Sequence, residues 1–404
     1  MSGKLFTSLM LGPVEIKNRL IRSSTFEGMG DVDGNPTSEL FDMYEELAKN
    51  GTSLIIAGFN YTSKEGKAMQ PGACGMDEDS KIAHWKPIVE MVHSYGAKII
   101  MQITHAGRQT VKRLSGGEVF SPSKVKCTYF RESPKVLSDE QILKIVYEYA
   151  YAALRLKKAG MDGVQVHCAH GYLIHQFFSS HTNRRKDRWG GGFENRFRFA
   201  SLIFEKIRKL CGNDFLIMAK VSSGDERGFT FLDCLKFCKL MEKSGHVDSI
   251  EISYGTMEYA MNIFRGEMPV KIAMKHNPLF NKYPKILKWL WLKLYYPLFY
   301  KNKIIPFKEN YNAECSELIA EDINLPVVAV GGIRRKSEIA RILEGNVEAV
   351  SSSRMFLHDP DITKKMLHNE EYQSGCSNCN VCVMMCDSGK STKCWLKNGE
   401  KDIG

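Results

Sequence analysis

Short apolar runs rich in β-branched residues recur along the chain and alternate with longer stretches of helical periodicity. They predict eight strands, at Leu20–Thr25, Ser53–Gly58, Lys98–Thr104, Gly163–His167, Leu216–Ser222, Ser249–Ser253, Pro326–Val330 and Val347–Ser351. Runs such as Leu54-Ile55-Ile56 and Val327-Val328-Ala329-Val330 are apolar at every position, as strands covered on both faces must be. Helix signals fill the gaps between them. Ser138-Asp139-Glu140-Gln141 is a capping box, and it opens an amphipathic run with Ile142, Ile145, Val146, Tyr149, Ala153 and Leu156 on one side. Lys157 and Lys158 then suit the end of that helix, where the helix dipole is negative. Strand followed by helix, eight times over, predicts an α/β fold of the (β/α)8 TIM-barrel type. An open, doubly wound sheet is the competitor, but no GxGxxG joins a strand to a helix.

Two stretches break the repeat. One is a basic, aromatic insert over 268–308, between strands six and seven; the other is a Cys-rich extension over 371–404. The barrel is therefore expected to occupy 1–370, insert included. The chain's 404 residues fall within the range of one barrel with insertions.

A net charge of +10 suggests a nucleic-acid partner until the charge is located. Between Met268 and Lys308 stand nine Lys and no Asp or Glu, and the rest of the chain carries only +1. Charge confined to one hydrophobic insert, with no binding motif, argues against nucleic acid. The first residues lack a charged segment followed by an apolar run, and no stretch reaches about 18 uninterrupted apolar residues. A cytoplasmic protein is expected. Of twelve Cys, five crowd into residues 376–394. In such a chain, crowded Cys point to metal or redox chemistry rather than to disulfides.

Active sites of barrels lie at the C-terminal ends of the strands. Gln102-Ile-Thr-His105-Ala-Gly107-Arg108 ends strand three, and His167-Cys-Ala-His170-Gly171-Tyr172 ends strand four. Lys220 lies near the end of strand five, Gly331-Gly332-Ile333-Arg334 after strand seven, and Ser353-Arg354 after strand eight. Each suits a flavin mononucleotide. Gly331 and Gly332 let backbone approach a phosphate, and Arg354 offers it a bidentate partner. Gln102 can both donate to and accept from the edge of an isoalloxazine ring. Lys220 supplies positive charge where a reduced flavin is negative. His167 and His170 can hold a carbonyl oxygen as charge develops on it, and Tyr172 can act as a general acid. The plainer alternatives are two core histidines, turn glycines and a packing tyrosine. What favours function is that all these residues fall at strand ends.

These motifs resemble the old yellow enzyme family, over about Leu5 to Pro360 and on into the Cys tail. Val14-Glu-Ile-Lys-Asn18-Arg19 matches the approach to strand one. The most specific stretch is 163–196, with His167, His170, Tyr172, Gln176, Asn183-Arg184-Arg185, Asp187, Gly190-Gly191 and Glu194-Asn195-Arg196 in register. The resemblance implies Thr25 and Ala57 near flavin O4 and N5, Gln102 at the pyrimidine edge, and Lys220 against N1 and O2. It implies Gly332, Ser353 and Arg354 at the phosphate, His167 and His170 on the substrate carbonyl, and Tyr172 as proton donor. Trp189, Ser353 and Glu348 depart from common family residues. Thr104 stands where some relatives carry a bulky aromatic, which implies a different pocket shape.

The spacing Cys376-x-x-Cys379-x-x-Cys382, then Cys394, resembles the branch with 2,4-dienoyl-CoA reductase and trimethylamine dehydrogenase. It implies a 4Fe–4S cluster on those four thiolates, with Cys386 a bystander; a zinc site is the other chemical option. Ten residues follow Cys394, so the FAD and nicotinamide domains of those relatives are not expected. NAD(P)H would then reduce the FMN directly, or an electron-donor protein would do so through the cluster.

The segment 282–303 can be a lid over the pocket, a contact with an anionic membrane surface, or plain packing. Lys288 and Lys293 interrupt it and Pro297 is expected to break its helix, so it does not span a bilayer. The leading expectation is an NAD(P)H-dependent ene-reductase acting on an α,β-unsaturated carbonyl or a CoA thioester, as a homo-oligomer. The alternatives are an amine dehydrogenase or demethylase of the trimethylamine type, and a flavin/iron–sulfur electron-transfer subunit.

Overall fold

A computed structural model describes residues 3–281 and 283–397. The apolar runs of the sequence pair into one closed parallel barrel. Its eight strands are β1 (Leu20–Arg22), β2 (Leu54–Tyr61), β3 (Lys98–Thr104), β4 (Gly163–Cys168), β5 (Leu216–Ser222), β6 (Ser249–Ser253), β7 (Val327–Val330) and β8 (Ala349–Ser352). Each pairs in parallel with its neighbour in sequence, and β8 closes on β1. All eight expected strands form. The first is shorter than the predicted Leu20–Thr25, because Ser23, Ser24 and Thr25 leave the sheet to meet other strand ends at the barrel mouth.

A helix follows each of the first seven strands: α1 (Ser38–Lys49), α2 (Lys81–Ser94), α3 (Asp139–Lys158), α4 (Phe193–Cys211), α5 (Phe231–Ser244), α6 (Ala313–Asp322) and α7 (Lys336–Glu344). The short α8 (Arg354–His358) follows β8. Ser138 caps α3 as expected: its hydroxyl accepts from Gln141 N, and the Gln141 side chain accepts from Ser138 N. The buried face of α3 carries Ile142, Ile145, Val146, Tyr149, Ala153 and Leu156.

Alternation along the strands separates two cores. Ile55 and Ala57 face the helices, whereas Leu54 and Ile56 fill the lumen with Ile21, Ile100, Met218 and Val328. Leu11, Val14 and Ile16, from a hairpin ahead of β1, close the lower mouth. An apolar plug at that end leaves the C-terminal mouth for polar chemistry.

The basic, aromatic insert leaves the barrel between β6 and β7. Lys285–Leu290 is helical and continues into Trp291–Tyr300, whose turns are of the wider π type. The path therefore runs through Pro297 rather than breaking there. Lys282 lies outside the described residues. No helix among the described residues is long and apolar enough to cross a membrane.

The Cys tail folds back over the barrel mouth. Ser374 N donates to Arg334 O at 2.9 Å and Thr392 N to Glu27 O at 2.7 Å, which ties the tail to the loops after β7 and β1.

Candidate active site

The loops above the strands enclose a cavity of about 730 Å³. Its floor is a hydrogen-bonded girdle of residues from five strands and the loop after β1. Ser24 Oγ donates to Gln102 Oε1 at 3.1 Å, and Gln102 Nε2 donates to Gln165 Oε1 at 2.6 Å. Gln165 Nε2 donates in turn to Glu251 at 3.1 Å. Glu251 also accepts from Ser23 Oγ at 2.8 Å and from Ser351 Oγ, and it pairs with Lys220 at 2.9 Å. Burial raises the Glu251 carboxyl, but the Lys220 ammonium and the hydroxyl donors outweigh it and hold the group below its ordinary value. Lys220 spends a second donor on Ser23 Oγ at 3.1 Å, and an ammonium has a third. The sequence pattern pointed to Gln102 and Lys220 but not to Glu251, Ser23 and Gln165, which orient them. The signal available was a lone charged residue inside the apolar strand Ser249–Ser253.

At the end of β4 three rings gather. His167 lies with its ring centroid 4.9 Å from both His170 and Tyr172. His167 Nδ1 accepts from Ala169 N at 3.3 Å, so in the neutral ring the proton sits on Nε2. His170 takes a left-handed φ of 58°, and its Nε2 lies 2.8 Å from Ser253 Oγ. Burial, with Lys220 nearby, holds both imidazoles well below the ordinary histidine value. They are neutral hydrogen-bonding groups near pH 7. Burial pushes the Tyr172 phenol up, with Asp387 adding to the shift, so it keeps its proton.

Phe59 packs on Tyr172 at 5.5 Å between centroids. It reaches the cavity because β2 changes register between Ala57 and Asn60. Gly58 within that bulge is forced by close approach: a Cβ there would lie 1.7 Å from Glu27 Oε2 and 2.3 Å from Thr25 O.

Thr25, Gln102, His167, His170, Tyr172, Lys220, Gly331, Gly332, Ser353 and Arg354 all line the one cavity. Thr25 Oγ1 lies 2.5 Å from Ser353 Oγ, joining the ends of β1 and β8. Ala57 does not line it. Its side chain faces the helices, because alternation along β2 gives the lumen to Leu54 and Ile56. Thr104 is also buried away from the wall, so pocket shape is set by Phe59 and the aromatics of the insert instead.

The loop after β7 has the form of a phosphate cradle. Gly331 and Gly332 take φ of 125° and 73°, and a Cβ on Gly332 would lie 2.9 Å from Asn310 N and Lys308 O. Arg334 lines the same wall with a buried Nε that has no partner among the described residues, a donor that sequence reasoning did not assign. Arg354 donates to Asn380 Oδ1 at 2.6 Å and to Phe264 O at 2.5 Å. The cavity thus offers an anion cradle, a polar ring edge and a positive charge, the three groups that FMN requires.

Cys376, Cys379, Cys382 and Cys394 line a second cavity of about 230 Å³, and Arg354, Leu357, Cys376 and Cys382 form the wall it shares with the first. All twelve cysteines are free thiols. Among the described residues no set of His, Cys, Asp or Glu side chains is arranged to hold a single ion. Four closely spaced thiols are the ligand set that a 4Fe–4S cluster requires. Cys386 faces the first cavity and is set apart from those four.

The tail also brings Asp387 to the first cavity. It accepts from Gln70 Nε2 at 3.0 Å and from Asn277 Nδ2 at 2.6 Å, and burial raises its carboxyl to about 6. Nothing in the sequence marked it, because its partners are 317 and 110 residues away.

A parallel barrel with an anion cradle and a charged, hydrogen-bonded girdle at its C-terminal mouth defines a cofactor-binding oxidoreductase of the barrel class. The chain belongs to the NADH:flavin oxidoreductase / NADH oxidase family, whose profile matches residues 4–288. FMN is the cofactor expected of that family. An NADH oxidase of Thermoanaerobacter brockii is 31% identical over 385 residues, covering 93% of this chain and 53% of that protein. The chain thus spans about half of that relative. A 4,4'-dithiodibutanoate disulfide reductase of Rhodococcus erythropolis is 26% identical over 403 residues, covering 98% of this chain and 95% of its own length. The solved 2-naphthoyl-CoA reductase in complex with 2-naphthoyl-CoA has the same fold, with a TM-score of 0.80 at 22% identity, covering 96% of this chain and 56% of that one.

Proposed function

We propose that this chain binds FMN and reduces a carbon–carbon double bond conjugated to a carbonyl, with NAD(P)H as reductant. The observation that carries this reading is the cluster of His167, His170 and Tyr172, with ring centroids 4.9 Å apart about His167, in the cavity that also holds Lys220 and the cradle of Gly331 and Gly332. FMN, when bound, supplies the hydride. Gly331, Gly332, Ser353, Arg334 and Arg354 would hold its phosphate, Gln102 its pyrimidine edge and Lys220 its N1–O2 side. Neutral His167 and His170 donate to the substrate carbonyl and take up the negative charge that develops there. Tyr172 keeps its proton at neutral pH and delivers it to the substrate carbon. Glu251 pairs with Lys220 at 2.9 Å and orients its ammonium on that side of the cavity. Cys376, Cys379, Cys382 and Cys394 would hold a 4Fe–4S cluster beside the Arg354 wall. An enoyl thioester is supported as a substrate class by the 2-naphthoyl-CoA bound in the reductase of like fold.

The test is anaerobic purification followed by stopped-flow mixing. NAD(P)H should bleach the flavin, and a small enone or a crotonyl thioester should restore its colour. A protein that takes up no FMN on reconstitution refutes the reading. A second reading, oxidation of an amine, is favoured by one observation: the Asp387 carboxyl stands among aromatic walls, a setting that suits a cation. Bleaching of the flavin by a methylated amine, with no reoxidation by any enone, would select it.

A further inference from the structure

The helical insert over the cavity presents apolar residues on both of its sides. Trp291, Tyr295 and Tyr300 line the cavity, and the Trp291 ring packs 6.3 Å from Phe280. Lys288 also turns inward, donating to Met274 O at 3.3 Å. The opposite side is more unusual. Ile286, Leu287, Trp289, Leu294, Leu298 and Phe299 are each 49–64% exposed. Scattered exposed apolar residues are normal on a soluble protein, but six on one short helix form a patch that marks an interaction surface.

Charge selects the occupant. Lys285 and Lys293 are exposed along the same helix and Lys301 in the 3-10 turn that follows it, and no acidic residue occurs from Met268 to Lys308. Two copies of this face would bring lysines against lysines, which opposes self-association. Apolar side chains flanked by lysines, with Trp and Tyr at their edges, complement the headgroup region of an anionic bilayer. The helix is too short and too charged to span one, so it would lie in the interface.

We infer that the outer face of residues 285–303 docks on an anionic lipid surface, with the aromatic inner face roofing the active-site cavity. The roof of the site is then the membrane contact. Resting on the ene-reductase reading, this assigns the substrate to unsaturated carbonyl compounds with a long apolar chain, taken from the bilayer rather than from bulk water.

The experiment is flotation of the holoenzyme with vesicles of phosphatidylcholine alone and of phosphatidylcholine with about a quarter phosphatidylglycerol. Binding to the anionic vesicles should exceed that to the neutral ones by about tenfold or more and should fall with rising salt. The triple variant Trp289→Ser, Leu294→Ser, Leu298→Ser alters only the outer face. It should lose flotation while keeping FMN content and turnover of a water-soluble enone. Its KM for a long-chain enone held in anionic vesicles should rise about tenfold with kcat unchanged. Absence of flotation at low salt, or equal flotation of the variant, overturns the proposal. So does a dimer that the triple variant converts to monomer, since that gives the face to a protein partner. Flotation needs no turnover: docking without enone reduction refutes the proposed function alone, and enone reduction without docking refutes this inference alone.

Discussion

Lys220 Nζ lies 2.9 Å from Glu251 Oε2 at facing positions of the neighbouring strands β5 and β6, and both side chains are buried. Removing one partner of such a pair leaves an uncompensated charge, at a cost of about 3–5 kcal/mol. Glu251→Gln should therefore lower stability to urea by that order, and Lys220→Met similarly. The folded Glu251 carboxyl titrates below its unfolded value, so its contribution is present above the unfolded value and is lost as pH falls through the folded one. Urea midpoints from pH 7 down to about pH 3 should converge for parent and Gln variant. Parallel curves would show that the pair does not stabilise the barrel.

Tyr172→Phe removes the proton donor of the proposed reaction without touching the girdle. Flavin reduction by NAD(P)H should change by less than about twofold, while reoxidation by an enone slows by about 10²–10⁴-fold. Because burial raises the phenol above its ordinary value, its proton is retained as pH rises. The parent's reoxidation rate should show no alkaline fall attributable to Tyr172 below about pH 10. Single-turnover rates of both half-reactions decide this, and unchanged reoxidation in the variant removes Tyr172 from the mechanism.

Asp387 titrates in the folded chain at about 6, above its unfolded value, because burial disfavours the charge. The folded state then binds more protons between those values, and stability falls as pH rises through that window. Asp387→Asn should melt at a higher temperature than the parent at about pH 8, with the difference shrinking toward about pH 4. An inflection near pH 6 in substrate KM should also vanish in the variant. Calorimetry and a KM profile across that range test both outcomes.

The two groups of tail cysteines should behave differently. Cys382→Ser should lose most of the iron of an anaerobic preparation, because the thiol belongs to the four around the smaller cavity. Cys386→Ser should keep about four iron per chain. Its Sγ instead donates to Cys382 O at 3.4 Å and lies 3.6 Å from Thr392 Oγ1. Iron and flavin assays on matched samples check this; equal iron in the parent and both variants would deny the cluster.

The barrel was legible in the sequence because a doubly covered strand must be apolar at successive positions, a local property. The same holds for the Ser138 capping box, and for the placing of His167, His170, Tyr172, Lys220, Gly331 and Arg354 at strand ends. Those positions follow from chain order once the fold is a barrel. Tertiary structure decided what depends on distance in sequence. Glu251 became the partner of Lys220, Asp387 reached the cavity, and Arg334 kept a buried Nε with no partner among the described residues. Pro297 stayed inside a wide helical turn, and Ala57 faced away from the cavity. Only packing determines which face of a strand looks inward, or which tail residue lands beside an active site. Local pattern carries no information about partners hundreds of residues apart.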